Sequence, residues 1–455
     1  MLNLPKLTAV TCSTLLLCNQ VFAQPLSEME QPNSYTLEQA VSYALASNPD
    51  LQIMHERIGQ AEAKLGEALS SFYPQIQVRM SYEHSDNPSR AFGMIIAQRR
   101  LKFDGSTDFN HPGGTDNYRP EVVASYSLFR GGQDYQTSKA AELGVETAEL
   151  QESATRNQLI QAVTSAFYGL LAAKEAHKVA VSSIAAVENE LEQSRKRYKA
   201  GTVLKSDVLS LEVQLAEAQD MEIQTANAIE LTRTSLKTLL GLDAHQPFKL
   251  ADGAGEFQLP ETYPGYENLL KQALAQRPEI MAAQKEVEIA DRLLSAAKGA
   301  HLPRANAYVS YGSDSKNLDF STNRDNVTAG VIVEMDIFNG FSTSEGVKKA
   351  QRKLAEARTK QTQVKLTIEN EVKMAHLKLR ESLARVNVTR ASIAAAEEAL
   401  RLVNQQRKAG VVTVTRYIET EVARDKAHAR DIAARFDALR AEAELKKALG
   451  TWKVE

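Results

Sequence analysis

Cysteine is almost absent: the chain of 455 residues has two, Cys12 and Cys18, both within the first 23 residues. Aromatic residues make up 6%, with a single tryptophan. That is little for a thick globular core and ordinary for long alanine-rich helices. Past the N-terminus no stretch approaches the ~20 consecutive apolar residues of a membrane helix. A membrane β-strand leaves a much weaker mark, so that test does not exclude one. The charges nearly cancel, at a formal −3, which leaves no basic footprint for a nucleic acid partner. The eight histidines are scattered without metal-ligand spacing, and His177 reads as a packed helix position. Gly253-Ala254-Gly255 lacks the strand–turn–helix setting of a phosphate loop. With no nucleophile elbow, no phosphate-binding lysine and no paired catalytic acids, neither an enzyme nor a cofactor or metal site is expected.

What is present begins with a secretory signal. Lys6 is followed by a mostly apolar stretch over residues 7–17, and Val21-Phe22-Ala23 offers a small-residue cleavage site, so cleavage is expected after Ala23. The processed chain then has no cysteine, which rules out disulfides and thiolate metal sites. Leu17 before Cys18 and Thr11 before Cys12 are poor lipoprotein signals, so no lipid anchor is expected.

Compared with itself, the chain is a duplication. Residues 44–51 match 273–280 at an offset of 229, and the same offset takes Pro74 to Pro303 and Ser81-Tyr82 to Ser310-Tyr311. Farther on the offset is 209. It pairs Leu128-Phe129-Arg130-Gly131 with Ile337-Phe338-Asn339-Gly340, Lys199-Ala200-Gly201 with Lys408-Ala409-Gly410, and Leu240-Gly241 with Leu449-Gly450. The difference falls in one loop, residues 83–119 against 312–325, where the Gly- and Asp-rich stretch 104–116 reads as external loop. The expected layout is a signal peptide over 1–23, a first repeat over 24–242, a Gly- and Pro-rich linker over 243–265, and a second repeat over 266–455.

Each repeat opens with short helices, 36–70 and 266–298, and then carries two strand candidates. Ile76, Val78, Met80 and Tyr82 alternate with Gln75, Gln77, Arg79 and Ser81 over residues 75–83. The same period of two runs through 121–129 (Val122, Ala124, Tyr126, Leu128), 304–312 (Ala305, Ala307, Val309, Tyr311) and 327–338 (Val327 to Ile337). Such spans suit half-exposed strands and also match the length of tilted membrane strands. Long helical hairpins follow, over about 131–241 and 341–450. A seam of alternating four- and three-residue steps runs from Leu159 through Val163, Leu170, His177, Val187 and Leu191 to Tyr198, and recurs from Ile368 to Arg407. That spacing means coiled-coil packing. Each proline-free helix would be about 100 Å long, and turns at Gly201 and Gly410 send the chain back. Four strands do not close a membrane barrel, whose smallest form has about eight; three copies supply twelve strands and twelve helices.

In these features the sequence resembles the TolC family of outer-membrane export proteins. The marks are the Asn48-Pro49 and Arg277-Pro278 elbows, the helix-to-strand corners at Pro74 and Pro303, the reverse corners at Gly131-Gly132 and Gly340, and the Lys-Ala-Gly tips. The resemblance implies a mainly α homotrimer whose 12-stranded β-barrel in outer-membrane lipid runs into a 12-helix α-barrel in the periplasm. Its tips (Lys199, Gly201, Lys205, Lys408, Gly410) would dock a periplasmic adaptor and an inner-membrane pump. It also implies a periplasmic gate at Asp207, Arg407, Arg416 and Glu419, with Asp207 expected to pair with Arg416 or Arg407. Three readings stand: the exit duct of a tripartite efflux pump, the duct of a type I protein secretion system, and a periplasmic coiled-coil adaptor or scaffold. The duplicated strand pairs argue against the last.

Overall fold

The computed structural model describes residues 34–452, apart from 104, 106, 107, 109, 244, 252–263 and 320. The expected signal peptide and most of the linker lie outside the described residues. The chain runs α1 (Leu37–Ser47), α2 (Pro49–Leu69), β1 (Gln75–Ser85), α3 (Pro88–Ala97), β2 (Thr115–Arg130), α4 (Gln133–Lys199) and α5 (Lys205–Leu239). It then repeats that plan as α6 (Tyr266–Gln276), α7 (Pro278–Gly299), β3 (Arg304–Ser313), β4 (Asp325–Glu334), α8 (Ser342–Lys408) and α9 (Val414–Leu449). Both long helices have 67 residues, about 100 Å at the helical rise.

The elbows form for local reasons. Asn48 accepts from the Asp50 amide and donates to the Leu239 carbonyl at 2.8 Å, so one side chain caps α2 and ties it to the end of α5. At the equivalent elbow Arg277, 3% exposed, bonds Glu279 at 2.6 Å and also reaches Glu371 on α8. The seams bury as the heptads require: Val163, Leu170, Val187 and Leu191 on α4, and Ile368, Val372, Leu379 and Val403 on α8, are core residues. His177 is half-buried, with Nδ1 3.2 Å from the Thr225 hydroxyl.

The four strands make one antiparallel sheet in the order β1-β2-β3-β4. Its boundaries differ from expectation in two places. β2 starts at Thr115 rather than near 121 because β1 continues to Ser85 and pairs with it. Pro120 is tolerated inside β2 because pairing with β3 begins only at Glu121. β4 stops at Glu334 rather than near 338 because its partner β3 begins at Arg304, just after Pro303. The loop expected over 83–119 contains a helix, α3, started by Asn87-Pro88 in the same way that Asn48-Pro49 starts α2.

Candidate functional site

The sheet presents two unlike faces. Register puts Ile76 opposite Ala124, Val78 opposite Val122, Val122 opposite Tyr311, Ala124 opposite Val309, and Val309 opposite Ala329. Directly opposed residues share a face, so the apolar alternation of all four strands falls on one side. That side is bare: Val78 is 81%, Val327 67% and Val333 67% exposed. Tyr82, Tyr118 and Tyr311 stand toward its far end, where membrane strands carry aromatic girdles. Gln77, Arg79, Ser81, Arg119, Glu121, Ser310 and Thr328 occupy the other face. An apolar face of this size suits lipid, and a polar one suits a water-filled lumen.

The corners let helix and strand meet end-on. Pro74 and Pro303 precede β1 and β3, where a missing amide costs least. Gly131 has a φ of +64°, and a Cβ there would lie 2.0 Å from the Gly299 carbonyl oxygen, so only glycine lets the β2–α4 corner touch the end of α7. Gly132 and Gly340 also take positive φ.

At the opposite end, the tips turn at Gly201 and Gly410, with φ of +76° and +77°. Lys199, Lys205 and Lys408 stand exposed around them. Beneath lies a small apolar cluster of Leu191, Val208, Leu211, Leu400, Val403, Val414 and Tyr417. Arg407 is the last seam residue of α8, one step beyond Val403, and it is 4% exposed. Its Nε donates to Glu190 at 2.7 Å, its Nη2 to the Ser194 hydroxyl at 3.0 Å, and its guanidinium lies 5.5 Å from the Tyr417 ring centre. Farther from the tip, Ser183 on α4 donates to Asp425 on α9 at 2.7 Å, and Arg435 on α9 bonds Glu175 on α4 at 2.7 Å. Polar rungs therefore join the first hairpin to the second along the seam.

The expected pairing of Asp207 is not made within the chain. Arg407 faces α4 and is committed to Glu190, while Arg416 pairs with Glu419 at 3.3 Å, both well exposed. Asp207, in the first turn of α5, makes no ion pair among the described residues, although it and Arg407 line one cleft between the tips. Sequence reasoning missed Glu190, Ser194 and Tyr417. The signal was Arg407 itself, since a charge on a seam needs a buried partner on the facing helix.

Glu421 is also buried, at 1% exposure. Arg424 Nη2 lies 2.6 Å away but without hydrogen-bond geometry, and it donates to Asp425 instead. Burial holds the Glu421 carboxyl above the ordinary carboxylate range, with Asp425 adding to the effect and Arg424 opposing it. Burial likewise pushes the Tyr417 hydroxyl up.

A sheet with one apolar side suited to lipid, joined end-on to helices about 100 Å long, defines the class of export ducts that run from the outer membrane into the periplasm. The family model described as outer membrane efflux protein matches the sequence twice, over residues 40–242 and 269–451, and the chain belongs to that family. The outer membrane efflux protein BepC of Brucella suis is 26% identical over 324 residues, 64% of this chain and 68% of BepC. The alkaline protease secretion protein AprF of Pseudomonas aeruginosa is 22% identical over 400 residues, 82% of this chain and 81% of AprF. The crystal structure of the Campylobacter jejuni CmeC outer membrane channel superposes with a TM-score of 0.77 at 18% identity, covering 91% of this chain and 85% of that one. That last likeness is one of fold. The protein is thus an outer-membrane export channel, and the scaffold reading falls.

Two outcomes follow for the tip. Arg407→Ala leaves Glu190 unpaired in a buried site, a loss of about 3–5 kcal/mol. Limited proteolysis should then cut the tips faster than in the parent, whereas Asp207→Ala should change thermal stability by no more than about 0.5 kcal/mol. The raised Glu421 carboxyl penalises the folded tip while it is ionised, and the penalty lifts as pH falls through the folded-state value toward the ordinary value of about 4. Hydrogen exchange around Thr420, corrected for intrinsic rates, should therefore slow as pH is lowered from neutral toward the ordinary carboxylate value of about 4. Glu421→Gln should flatten that dependence.

Proposed function

We propose that three copies of the chain assemble into a closed conduit that passively conducts substrates handed over by a periplasmic adaptor and an inner-membrane pump. The observation that carries this reading is a set of contacts each chain makes once and leaves open once. Within the chain β2 pairs with β3, α4 packs on α7, and Gly131 abuts Gly299. The repeat offset maps these onto β4 with β1, α8 with α2, and Gly340 with Ser70. Both β4 and β1 are sheet edges, a Cβ on Gly340 would meet nothing within 4 Å, and α8 has no comparable contact with α2. Leu366 and Met374 on α8 and Ile53 and Leu69 on α2 stand exposed, ready for that contact. Two copies would give a barrel of about eight strands, whose interior side chains fill. Three leave a lumen.

The gate follows from the same symmetry. Asp207 and Arg416 are repeat equivalents, 209 residues apart. In a trimer they alternate as acid and base around the entrance, where each would meet its opposite from the neighbouring copy, with Glu419 beside them. Arg407 stands behind this ring as the latch within each copy. The chain contributes no chemistry, and energy comes from the pump. A second reading, the duct of a type I protein secretion system, is favoured by the likeness to AprF, named for alkaline protease secretion. Both readings use the same trimer and differ in its partner.

Single-channel recordings of the detergent-extracted trimer test the gate: Asp207→Ala with Arg416→Ala should raise conductance, and an unchanged value removes those residues from it. A photocrosslinking residue at position 205 in cells should capture an adaptor. The pump bound to that adaptor separates efflux from protein secretion, and repeated capture of nothing with the trimer in place would sink the docking proposal.

A further inference from the structure

The polar face of the sheet is covered at its outer end, the end remote from the long helices. Helix α3 lies against it and is fixed to three strands or their ends. Arg90 pairs with Glu83 of β1 at 3.0 Å. Gln98, 1% exposed, donates to the Asp116 carbonyl at 2.7 Å and to the Asn117 side chain at 3.0 Å on β2. Arg99, held at a φ of +53°, donates to the Asp325 carbonyl at 3.0 Å at the start of β4 and to that of Asn323. Glu83 and Asn117 are register partners on the polar face, so α3 crosses on the lumen side and not on the lipid side.

The turn after β3 is fixed to the same place. Asp314, 3% exposed, accepts from Arg119 at 2.6 Å, Asn117 at 2.8 Å and Asn326 at 2.9 Å. Arg119 is shared further with Glu121 at 3.1 Å and with the Asn326 side chain at 3.0 Å. Ser315, fully buried, exchanges two backbone hydrogen bonds with Tyr118. A buried acid with three donors is a satisfied network that fixes one geometry. Flexible surface loops are not built this way.

We propose that α3 and the Asp314–Ser315 turn form a second constriction, at the outer mouth, that sets the largest solute able to leave. The proposal rests on the trimeric duct reading. Threefold repetition brings three copies of α3 around one opening, with the faces remote from the sheet toward the axis. The periplasmic ring then controls when the duct conducts, and the outer ring controls what passes. Only the first repeat carries the longer loop, so the mouth is narrowed at three positions rather than six.

The test uses the full chain in planar bilayers, with neutral polyethylene glycols of graded size as probes of the widest passable solute. Gly93 is on the exposed side of α3 with open space where a Cβ would go. Gly93→Cys should therefore fold normally, and thiosulfonate reagents of increasing size attached there should lower conductance stepwise. Shortening residues 86–111 to the length of the second-repeat loop should raise both conductance and the polymer cutoff. Verified labelling of Gly93→Cys with unchanged conductance would overturn the constriction, as would an unchanged cutoff in a shortened variant that still forms trimers. Parent protein that forms no channel at all would overturn the duct reading instead.

Discussion

An unpaired strand edge in lipid is the constraint on which the rest of the structure depends. In hydrocarbon no water is available to bond a free amide or carbonyl, and each orphan costs several kcal/mol. The four-stranded sheet has such edges at β1 and β4, and its exposed apolar face suits lipid. In the proposed trimer further copies satisfy the edges, and because every strand runs directly into or out of a helix, the helices would follow the barrel around. Under that reading a helical tube is a consequence of barrel closure, provided the corners are stiff. Gly131 against Gly299 makes them so, since that contact leaves no room for a side chain at either residue.

Much of this was legible in the sequence because it is periodic. Strand alternation and the four-three seams are patterns of burial, and burial is what a single sequence encodes most directly. The corner prolines and glycines were legible because few other residues suit those backbone angles. Two things were not. Helix α3 lies in a loop with no counterpart in the second repeat, so the comparison that exposed every other element gave it no support. Its Asn87-Pro88 start was the available mark. The partner of Arg407 was missed because ion pairs across a seam depend on which helices face each other, and the offset between repeats does not say that. The expected partner, Asp207, is near in sequence to a tip but lies on the wrong helix.

We read the buried charge at the tip as a device for register more than for stability. A hydrophobic pair at Arg407 and Glu190 would hold as well or better, yet it would not distinguish one register of sliding alanine-rich helices from the next. The guanidinium can satisfy Glu190 and Ser194 together in one register only, and Tyr417 covers it from the third side. The unsatisfied oxygen of Glu421, a short distance along α9, shows that the same layer is not fully compensated. That leaves the tip marginal beside the well-packed cluster where α1 meets α4 and α5, in which Val163, Phe167, Leu236 and Leu240 have almost no exposure.

The two repeats also differ where a trimer would need them to. The rungs joining the hairpins within the chain use Glu175, Ser183, Glu190 and Ser194 on α4 with Arg407 on α8 and Asp425 and Arg435 on α9. Shifted by the repeat offset of 209, the α4 positions become Ala384, Ser392, Ala399 and Val403, and the others become Tyr198, Ala216 and Ala226. No ion pair can form among those residues. Under the threefold reading, the seam within each copy carries these polar rungs, and the equivalent positions between copies hold no charged pair. Small side chains without directional bonds permit sliding at little cost, whereas buried ion pairs resist it. Under the same reading an opening motion should part the copies, carry each copy's two hairpins together, and separate the proposed alternation of Asp207 and Arg416.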